Sequence, residues 1–340
     1  MKYLYVLVST ASDIYYEQFL LSLTSLRLVM PDADVVLLCD AKTKETLSGK
    51  RAHYEKLLSQ TITVDVPDNI PQVEISRWIK TSIRRYIAGD FLFIDCDTII
   101  TEDLSSIEDQ KILFGACLDK HSLLSRHGRA LQIAQRDKLL GFSSYTSNRH
   151  FNSGVIYCAD TPETHVIFER WHELWQFSNS KNVVRDQPSF NMAIYENLSV
   201  FTELNGIWNC QISFNGLPFL INSKIIHYFA SDFHVHETAF MLASKNVLNE
   251  IKETGFIPDT VMELLKNPKS AFVPESRIIA GNDLLSVMNS SLFDAVFLLK
   301  QKAPGVYNFI NTLSSVSKKI VRFFMVRKSK KKDGGITLYN

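Results

Sequence analysis

Four consecutive apolar residues, Phe91-Leu92-Phe93-Ile94, run directly into Asp95-Cys96-Asp97-Thr98-Ile99-Ile100. An uninterrupted apolar run of this length fits a central parallel strand with both faces covered, and such strands belong to layered α/β sheets. Side chains at i and i+2 of an extended chain share one side, so Asp95 and Asp97 can face a single hard cation together. An isolated Asp-x-Asp more often ends a strand and hydrogen-bonds the following turn. This pair, however, falls just outside the carboxyl end of a central strand, where open α/β sheets collect their ligands.

The segments around it alternate between strand and helix signals. Tyr3 to Val8 reads as a strand, Ile14 to Val29 as a helix, Val35 to Cys39 as a strand closed by Asp40, and Thr43 to Leu58 as a second helix. Thr61 to Val66 reads as a strand and Ile75 to Ile87 as a helix before the Phe91 strand. That order predicts a mainly parallel, doubly wound sheet with flanking helices and right-handed crossovers. Beyond residue 100 come strands at Ile112 to Leu118 and Phe151 to Cys158, separated by a polar stretch from Lys120 to His150 that reads as an irregular substrate-binding insertion. Helices follow at Val166 to Phe177 and Gln187 to Tyr195, then an apolar strand from Lys224 to Phe229. Trp171 and Trp175, four residues apart, read first as core packing and second as a sugar-stacking platform. Helical patterns dominate after about residue 245, so the expected division is a catalytic domain, 1–245, and a helical carboxyl-terminal region, 246–340.

Composition narrows the function classes. Hydrophobic residues at 46% and charged residues at 21% describe a globular protein with a sizeable core. The five cysteines stand singly in apolar runs, which reads as reduced core thiols and neither a disulfide framework nor a zinc site. No run reaches the ~18 apolar residues of a membrane-spanning helix, and Met1 to Val8 is better explained as a first strand than as a signal sequence. The net charge of +1 conceals a split: eight Lys or Arg and one acidic residue lie from Lys318 onward, leaving 29 basic against 35 acidic residues upstream. An acidic body with a basic tail suits contact with an anionic surface, whereas basic residues confined to one end argue against a nucleic-acid-reading domain. Val306, Ile310, Leu313, Ile320 and Phe324 recur at helical spacing before that tail, the pattern of an interfacial amphipathic helix with a polybasic end. The same pattern also suits a helix packed on its own domain.

Several further segments carry chemistry. Arg77, Lys80 and Arg84 lie at helical spacing ahead of the Asp-x-Asp strand, either as a solvated stripe or as donors to an anion. Thr10 leads into Ala11-Ser12-Asp13-Ile14-Tyr15-Tyr16, in which Asp13 could cap the first helix. Phe151-Asn152-Ser153-Gly154-Val155 combines small and amide residues where a backbone can approach a ligand closely, or where a strand simply bulges. Asp186 and Gln187 precede Pro188 and could cap the helix they open. His227 stands inside an apolar strand, where a histidine is more often a core residue than a ligand.

In order and spacing, Asp95-Cys96-Asp97, Phe151 to Val155, Asp186-Gln187 and His227 resemble the type A glycosyltransferases, and among them glycosyltransferase family 8, over the first 230 residues. The resemblance implies an α/β type A fold and a retaining transferase that uses a UDP-sugar. It implies that Asp95, Asp97 and His227 hold Mn2+, or Mg2+, on the donor diphosphate, and that Asp186 and Gln187 lie against the reacting sugar. By the same resemblance Thr10, Ala11, Asp13 and Tyr16 meet the nucleoside, Arg77 and Lys80 reach the sugar or diphosphate, and Asn152 and Ser153 face the donor sugar, with Asp95 contacting it too. The chain departs from the family after His227: members continue His-x-x-Gly-x-x-Lys-Pro-Trp, but here the sequence is His227-Tyr228-Phe229-Ala230-Ser231-Asp232-Phe233. The phosphate-binding lysine is missing from its place, and Arg77, Lys80, His234 or His236 are the candidates to replace it.

Two rival readings stand beside this one, the first drawn from the Asp-x-Asp strand and the second from the carboxyl-terminal helix and basic tail. Asp95-Cys96-Asp97-Thr98 also matches the nucleophile motif of haloacid-dehalogenase-type phosphatases, with Asp95 attacking phosphorus, yet those enzymes carry it on their first strand. A non-catalytic, membrane-associated protein that binds sugar nucleotides is the other. The expectation is a cytoplasmic hexosyltransferase acting on a saccharide or lipid-linked acceptor in bacterial surface polysaccharide synthesis, touching the inner face of the membrane through its tail and binding no nucleic acid.

Overall fold

The computed structural model describes residues 1–68, 70–143, 147–229, 238–274, 287–288, 290–315 and 317. The chain forms two compact units, the first of which takes in the described residues as far as Pro274.

In the first unit, strands β1 (Lys2–Leu7), β2 (Asp34–Cys39), β3 (Gln60–Thr63) and β4 (Phe91–Ile94) alternate with helices α1 (Tyr15–Val29), α2 (Ala41–Thr46) and α3 (Gln72–Thr81). Then come β5 (Thr98–Ile100), β6 (Phe114–Leu118), α4 (Ala130–Leu140), β7 (Phe151–Cys158), α5 (Pro162–Ser180), α6 (Gln187–Glu196) and β8 (Phe201–Glu203). The unit closes with β9 (Cys210–Gln211), α7 (Leu217–Leu220), β10 (Ile225–His227), α8 (Lys245–Thr254) and α9 (Asp259–Lys266).

Seven strands form one sheet in the order β3-β2-β1-β4-β7-β6-β8. β1 pairs in parallel with β2 and β4, β2 with β3, and β6 with β8, while β7 runs antiparallel to both β4 and β6. The fold is thus α/β with a mainly parallel sheet. Alternation along each strand divides its side chains between two cores. Tyr3, Tyr5, Leu37, Leu92, Ile94, Val155 and Tyr157 enter one, and Leu4, Val36, Leu38, Phe91, Phe93, Ile156 and Cys158 the other. Helices α1, α8 and α9 cover the first core and α3, α5 and α6 the second. Each large side chain buried this way contributes roughly 1.5–3 kcal/mol, which is why the four-residue run of β4 is apolar throughout.

The expected boundary at 245 falls inside this unit, because Leu248, Ile251, Val261 and Leu265 of α8 and α9 are buried in the core that contains Tyr16 and Phe19. The expected helix over Thr43 to Leu58 is interrupted: α2 ends at Thr46 and a 3-10 segment, Gly49–Leu57, follows after Gly49 takes φ +58°. The insertion after β6 is less irregular than expected, since it contains α4. Trp171 and Trp175 are both buried, as core residues. All five cysteines are free thiols.

One consequence of the strand directions positions the site. Because β1, β4 and β6 run the same way and β7 opposes them, the carboxyl ends of the first three and the amino end of β7 lie along one edge of the sheet. Residues 8–10, 95–97, 119–120 and 151–154 therefore meet there. A small second sheet, β5-β10-β9, folds against this edge, and its antiparallel register sets His227 opposite Thr98, one residue from Asp97.

In the second unit the described residues include a helix, Ser291–Lys302, with a Ser290 side-chain cap, and helical residues 304–315. No helix among the described residues is long and apolar enough to cross a membrane.

Candidate active site

A cavity of about 500 Å³ opens along the sheet edge, lined among others by Asp95, Asp97, Lys80, Asn152, Ser153, Asp186 and His227. At its centre ligand atoms of Asp95, Asp97 and His227 all lie within 4.8 Å of one another. His227 Nε2 faces Asp97 Oδ1 at 3.3 Å, and its Nδ1–H donates to Asn209 Oδ1 at 2.9 Å. Asn209 Nδ2 in turn donates to Asn152 Oδ1 at 2.9 Å, so the asparagine amide is oriented and fixes which imidazole nitrogen faces the carboxylates.

The charge at this corner suits a cation. Burial pushes the Asp95 carboxyl up, Asp97 adds to the rise, and Lys80 and His227 offset part of it. Burial alone would depress His227, but the two carboxylates outweigh it and raise the imidazole above its ordinary value. Space is provided as well: a Cβ on Gly154 would lie 2.5 Å from His227 Cε1 and 2.8 Å from Asp95 Oδ2, so only glycine leaves the corner open. Two carboxylates and one imidazole suit Mn2+ or Mg2+ with coordination positions to spare, and the residues present fit such an ion.

Beside the corner is a second polar group. Lys80 Nζ lies 3.1 Å from Asp95 Oδ1 and 3.5 Å from Asp186 Oδ2, over the ring of Phe93. Burial disfavours the Lys80 charge, but Asp95 and Asp186 outweigh it and raise the amine's pKa. The Ser153 hydroxyl donates to Asp186 Oδ2 at 2.9 Å, and Arg77 Nε stands 4.0 Å from Asp186 Oδ1. Burial opposes ionisation of Asp186, yet Lys80, Arg77 and Ser153 together hold it below the usual carboxylate range. Its side chain makes no cap to α6, so the capping alternative raised by Pro188 is not what holds it. An ionised carboxylate is thereby presented to the cavity with Gln187 beside it.

The other residues singled out from sequence divide. Asp13 accepts the Ser9 hydroxyl at 2.6 Å and the backbone N–H groups of Thr10 at 2.7 Å and Tyr15 at 3.1 Å, shaping the loop that also carries Ala11. Thr10 donates its hydroxyl to the same carboxylate at 2.9 Å, and Asp13 meets the cavity-lining Gln72 at 3.4 Å. Tyr16 does not join them: it is 1% exposed, packed on Phe19 and Tyr54, and its neighbour Tyr15 lines the cavity instead. Arg84 is buried under the sheet, donating to Gly89 and Ala159 carbonyls at 2.8 and 2.9 Å, and is structural. His234 and His236, with Ala230 to Phe233, lie outside the described residues.

Sequence reasoning passed over Asn209, which orients His227, and Asp119, whose Oδ1 accepts from Asn152 Nδ2 at 3.1 Å and whose Oδ2 meets His127 Nε2 at 2.9 Å. It also missed Phe229, whose ring stacks on His227 at 4.0 Å with an interplanar angle of 3°. Its φ of +53° is strained for a bulky side chain, and nothing in the apolar run announced it.

Residues 11–232 match the profile of a family described as glycosyl transferase family 8. The solved structure of the galactosyltransferase LgtC with donor and acceptor sugar analogs is similar with a TM-score of 0.51 at 16% identity, covering 77% of this chain and 99% of that one. Mouse xyloside xylosyltransferase 1 gives 0.46 at 12% identity over 68% of this chain and 99% of that one. The glycosyltransferase GlyE of Streptococcus pneumoniae TIGR4 gives 0.48 at 15% identity over 81% and 66%. No curated protein matches by sequence.

Proposed function

The chain belongs to glycosyl transferase family 8, with the type A fold, and from that premise we propose that it moves a hexosyl unit from a UDP-sugar to a saccharide or lipid-linked acceptor in surface polysaccharide synthesis. Family membership sets aside the phosphatase and the non-catalytic readings. The observation that carries the proposal is the convergence of Asp95, Asp97 and His227 within 4.8 Å at the carboxyl edge of β4, inside a cavity whose next wall is the Asp186 carboxylate.

On this reading Asp95, Asp97 and His227 hold Mn2+ or Mg2+, which when bound supplies Lewis-acid stabilisation of the charge left on the nucleoside diphosphate. Asn209 holds His227 in the required tautomer. Lys80, between Asp95 and Asp186, screens the two carboxylates from each other and offers a donor to a phosphate oxygen, and Arg77 reaches the same side. These two take the part of the lysine absent after His227. Thr10, Ala11 and Asp13, with Tyr15 in place of Tyr16, form the nucleoside end. Asn152 and Ser153 orient the donor sugar, and the ionised Asp186, with Gln187, steadies positive charge as the glycosidic bond breaks, with retention of configuration. The protein works in the cytoplasm at the membrane surface, where the exposed Leu292, Phe309 and Leu313 and the basic residues from Lys318 onward meet anionic lipid.

The test is hydrolysis and binding of a panel of nucleotide sugars with and without Mn2+, in the parent and in Asp97→Asn. Metal-dependent turnover of one UDP-sugar, reduced at least 100-fold in the variant, is the expected result. Binding of no nucleotide sugar under either condition would sink the proposal.

A further inference from the structure

The strand order along the sheet edge sets a sequence of stations. The loop after β1 comes first, then Asp95 and Asp97 after β4, then Asn152 and Ser153 at the start of β7, and last the residues that follow β6. On the proposed reading the first three receive nucleoside, diphosphate and donor sugar, which leaves the fourth for the acceptor. The cavity wall at that station carries Lys120, Arg129 and Arg136, and Arg185 joins them from the turn before α6.

Arg136 is the informative member. It projects from α4 with its Nε buried and without a hydrogen-bond partner among the described residues. Burial pushes its pKa down, Arg185 and Arg129 repel it, and Asp137 and Asp119 offset only part of this. Asp119 is already committed on both oxygens, to His127 Nε2 at 2.9 Å and Asn152 Nδ2 at 3.1 Å. Burial drives His150 down to about 4, which leaves the guanidinium groups as cations of this wall at neutral pH. Like charges crowded around a desolvated guanidinium destabilise the free protein and are relieved by an entering anion. A phosphate group, carrying nearly two negative charges and three acceptor oxygens, answers several guanidinium groups at once.

We propose that Arg136 and Arg185, with Arg129 beside them, form an anion-binding half of the acceptor site, so that the acceptor is a phosphorylated saccharide whose phosphate sits at the β6 end while its sugar faces Asp186 and Gln187. This rests on the transferase reading above. It places the charge requirement on the acceptor, separate from the donor diphosphate at β4.

The experiment saturates the full-length protein with UDP and Mn2+, so that the diphosphate station is filled, and then titrates glucose 6-phosphate, glucose and inorganic phosphate by calorimetry. Glucose 6-phosphate is expected to bind at least ten-fold tighter than either glucose or phosphate, and both Arg136→Gln and Arg185→Gln to weaken it at least five-fold. Arg185 is exposed, so its variant reports even if Arg136→Gln fails to fold. Equal binding of glucose and its 6-phosphate, indifference to Arg185→Gln, or phosphate binding as tightly as the phosphosugar would each overturn the inference. UDP uptake without phosphosugar binding sinks the inference alone, whereas failure of UDP itself to bind sinks the UDP-sugar reading and the inference with it.

Discussion

Gly154 shows how much one hydrogen in place of a methyl group can decide. A Cβ there would meet His227 Cε1 at 2.5 Å, Asp95 Oδ2 at 2.8 Å and Asn152 Oδ1 at 2.9 Å. None of these neighbours is free to swing away: His227 is bonded to Asn209, Asp95 to Lys80, and Asn152 Oδ1 to both Asn209 and the Gly154 backbone N–H. Gly154→Ala is therefore expected to weaken Mn2+ binding 10–100-fold, the range seen when ligand orientation is disturbed. A metal titration of nucleotide-sugar hydrolysis reads this as a higher half-saturating concentration, and an unchanged titration would remove the proposed metal corner. The Asp-x-Asp pair stood out at the end of an apolar strand, whereas His227 was singled out only through the family resemblance, and the structure brings the three together within 4.8 Å. Asn209 was invisible, since an amide that orients a ligand from 18 residues away leaves no periodic trace. Tyr16 was misassigned for a geometric reason: adjacent helical residues diverge by about 100°, so a one-residue error exchanges the cavity face for the core.

Elements carry the next level of information, and the seam between α3 and α5 is an instructive one. His172 lies edge-on to Trp78 at 4.8 Å and pairs Nδ1 with the Thr81 hydroxyl at 2.7 Å. Burial, with a smaller push from Arg85, brings its pKa from 6.5 down to about 4. Between those values the unfolded chain takes up a proton that the folded one refuses, so stability falls as pH drops from 6.5 towards 4. His172→Asn is expected to flatten that slope, measured as the difference between urea midpoints at pH 7 and pH 5. His121 and His150, also depressed to about 4, keep some slope in the variant. On the opposite face of the sheet, Ile251→Ala in α8 should cost about 2–5 kcal/mol in the same cooperative melt, followed by tryptophan fluorescence, because Ile251 is 1% exposed within the core of α1. A separate early transition would instead return α8 to the carboxyl-terminal region. One strand read from sequence with both ends correct is Phe151–Cys158, buried along its whole length and apolar through its second half. Helix α4 was missed because Leu131 and Leu139 point outward, 67% and 66% exposed, and blur the amphipathic period.

At the scale of the whole molecule, charge and apolarity are separated along the chain. The first 317 residues carry 29 basic and 35 acidic side chains, and eight basic residues follow. In the second unit Leu292, Val306, Phe309, Ile310 and Leu313 are 46–74% exposed on helices. Sequence spacing anticipated the apolar side of this pattern at Val306, Ile310 and Leu313, whereas Ile320, Phe324 and the basic run lie outside the described residues. Insertion of an apolar face and attraction of a polybasic run are each weak alone and add when they share a surface. Every basic residue near an anionic membrane contributes about 1 kcal/mol, so replacing Lys328, Lys330, Lys331 and Lys332 with Gln should lower partitioning onto phosphatidylglycerol vesicles by roughly 10²–10³. Co-sedimentation with phosphatidylglycerol and with phosphatidylcholine vesicles, at low and high salt, measures this directly. Salt-sensitive binding confined to the anionic vesicles is the expected result. Equal binding to neutral vesicles would assign the contact to the apolar residues alone, and no binding to either would leave the acceptor to reach the enzyme from solution.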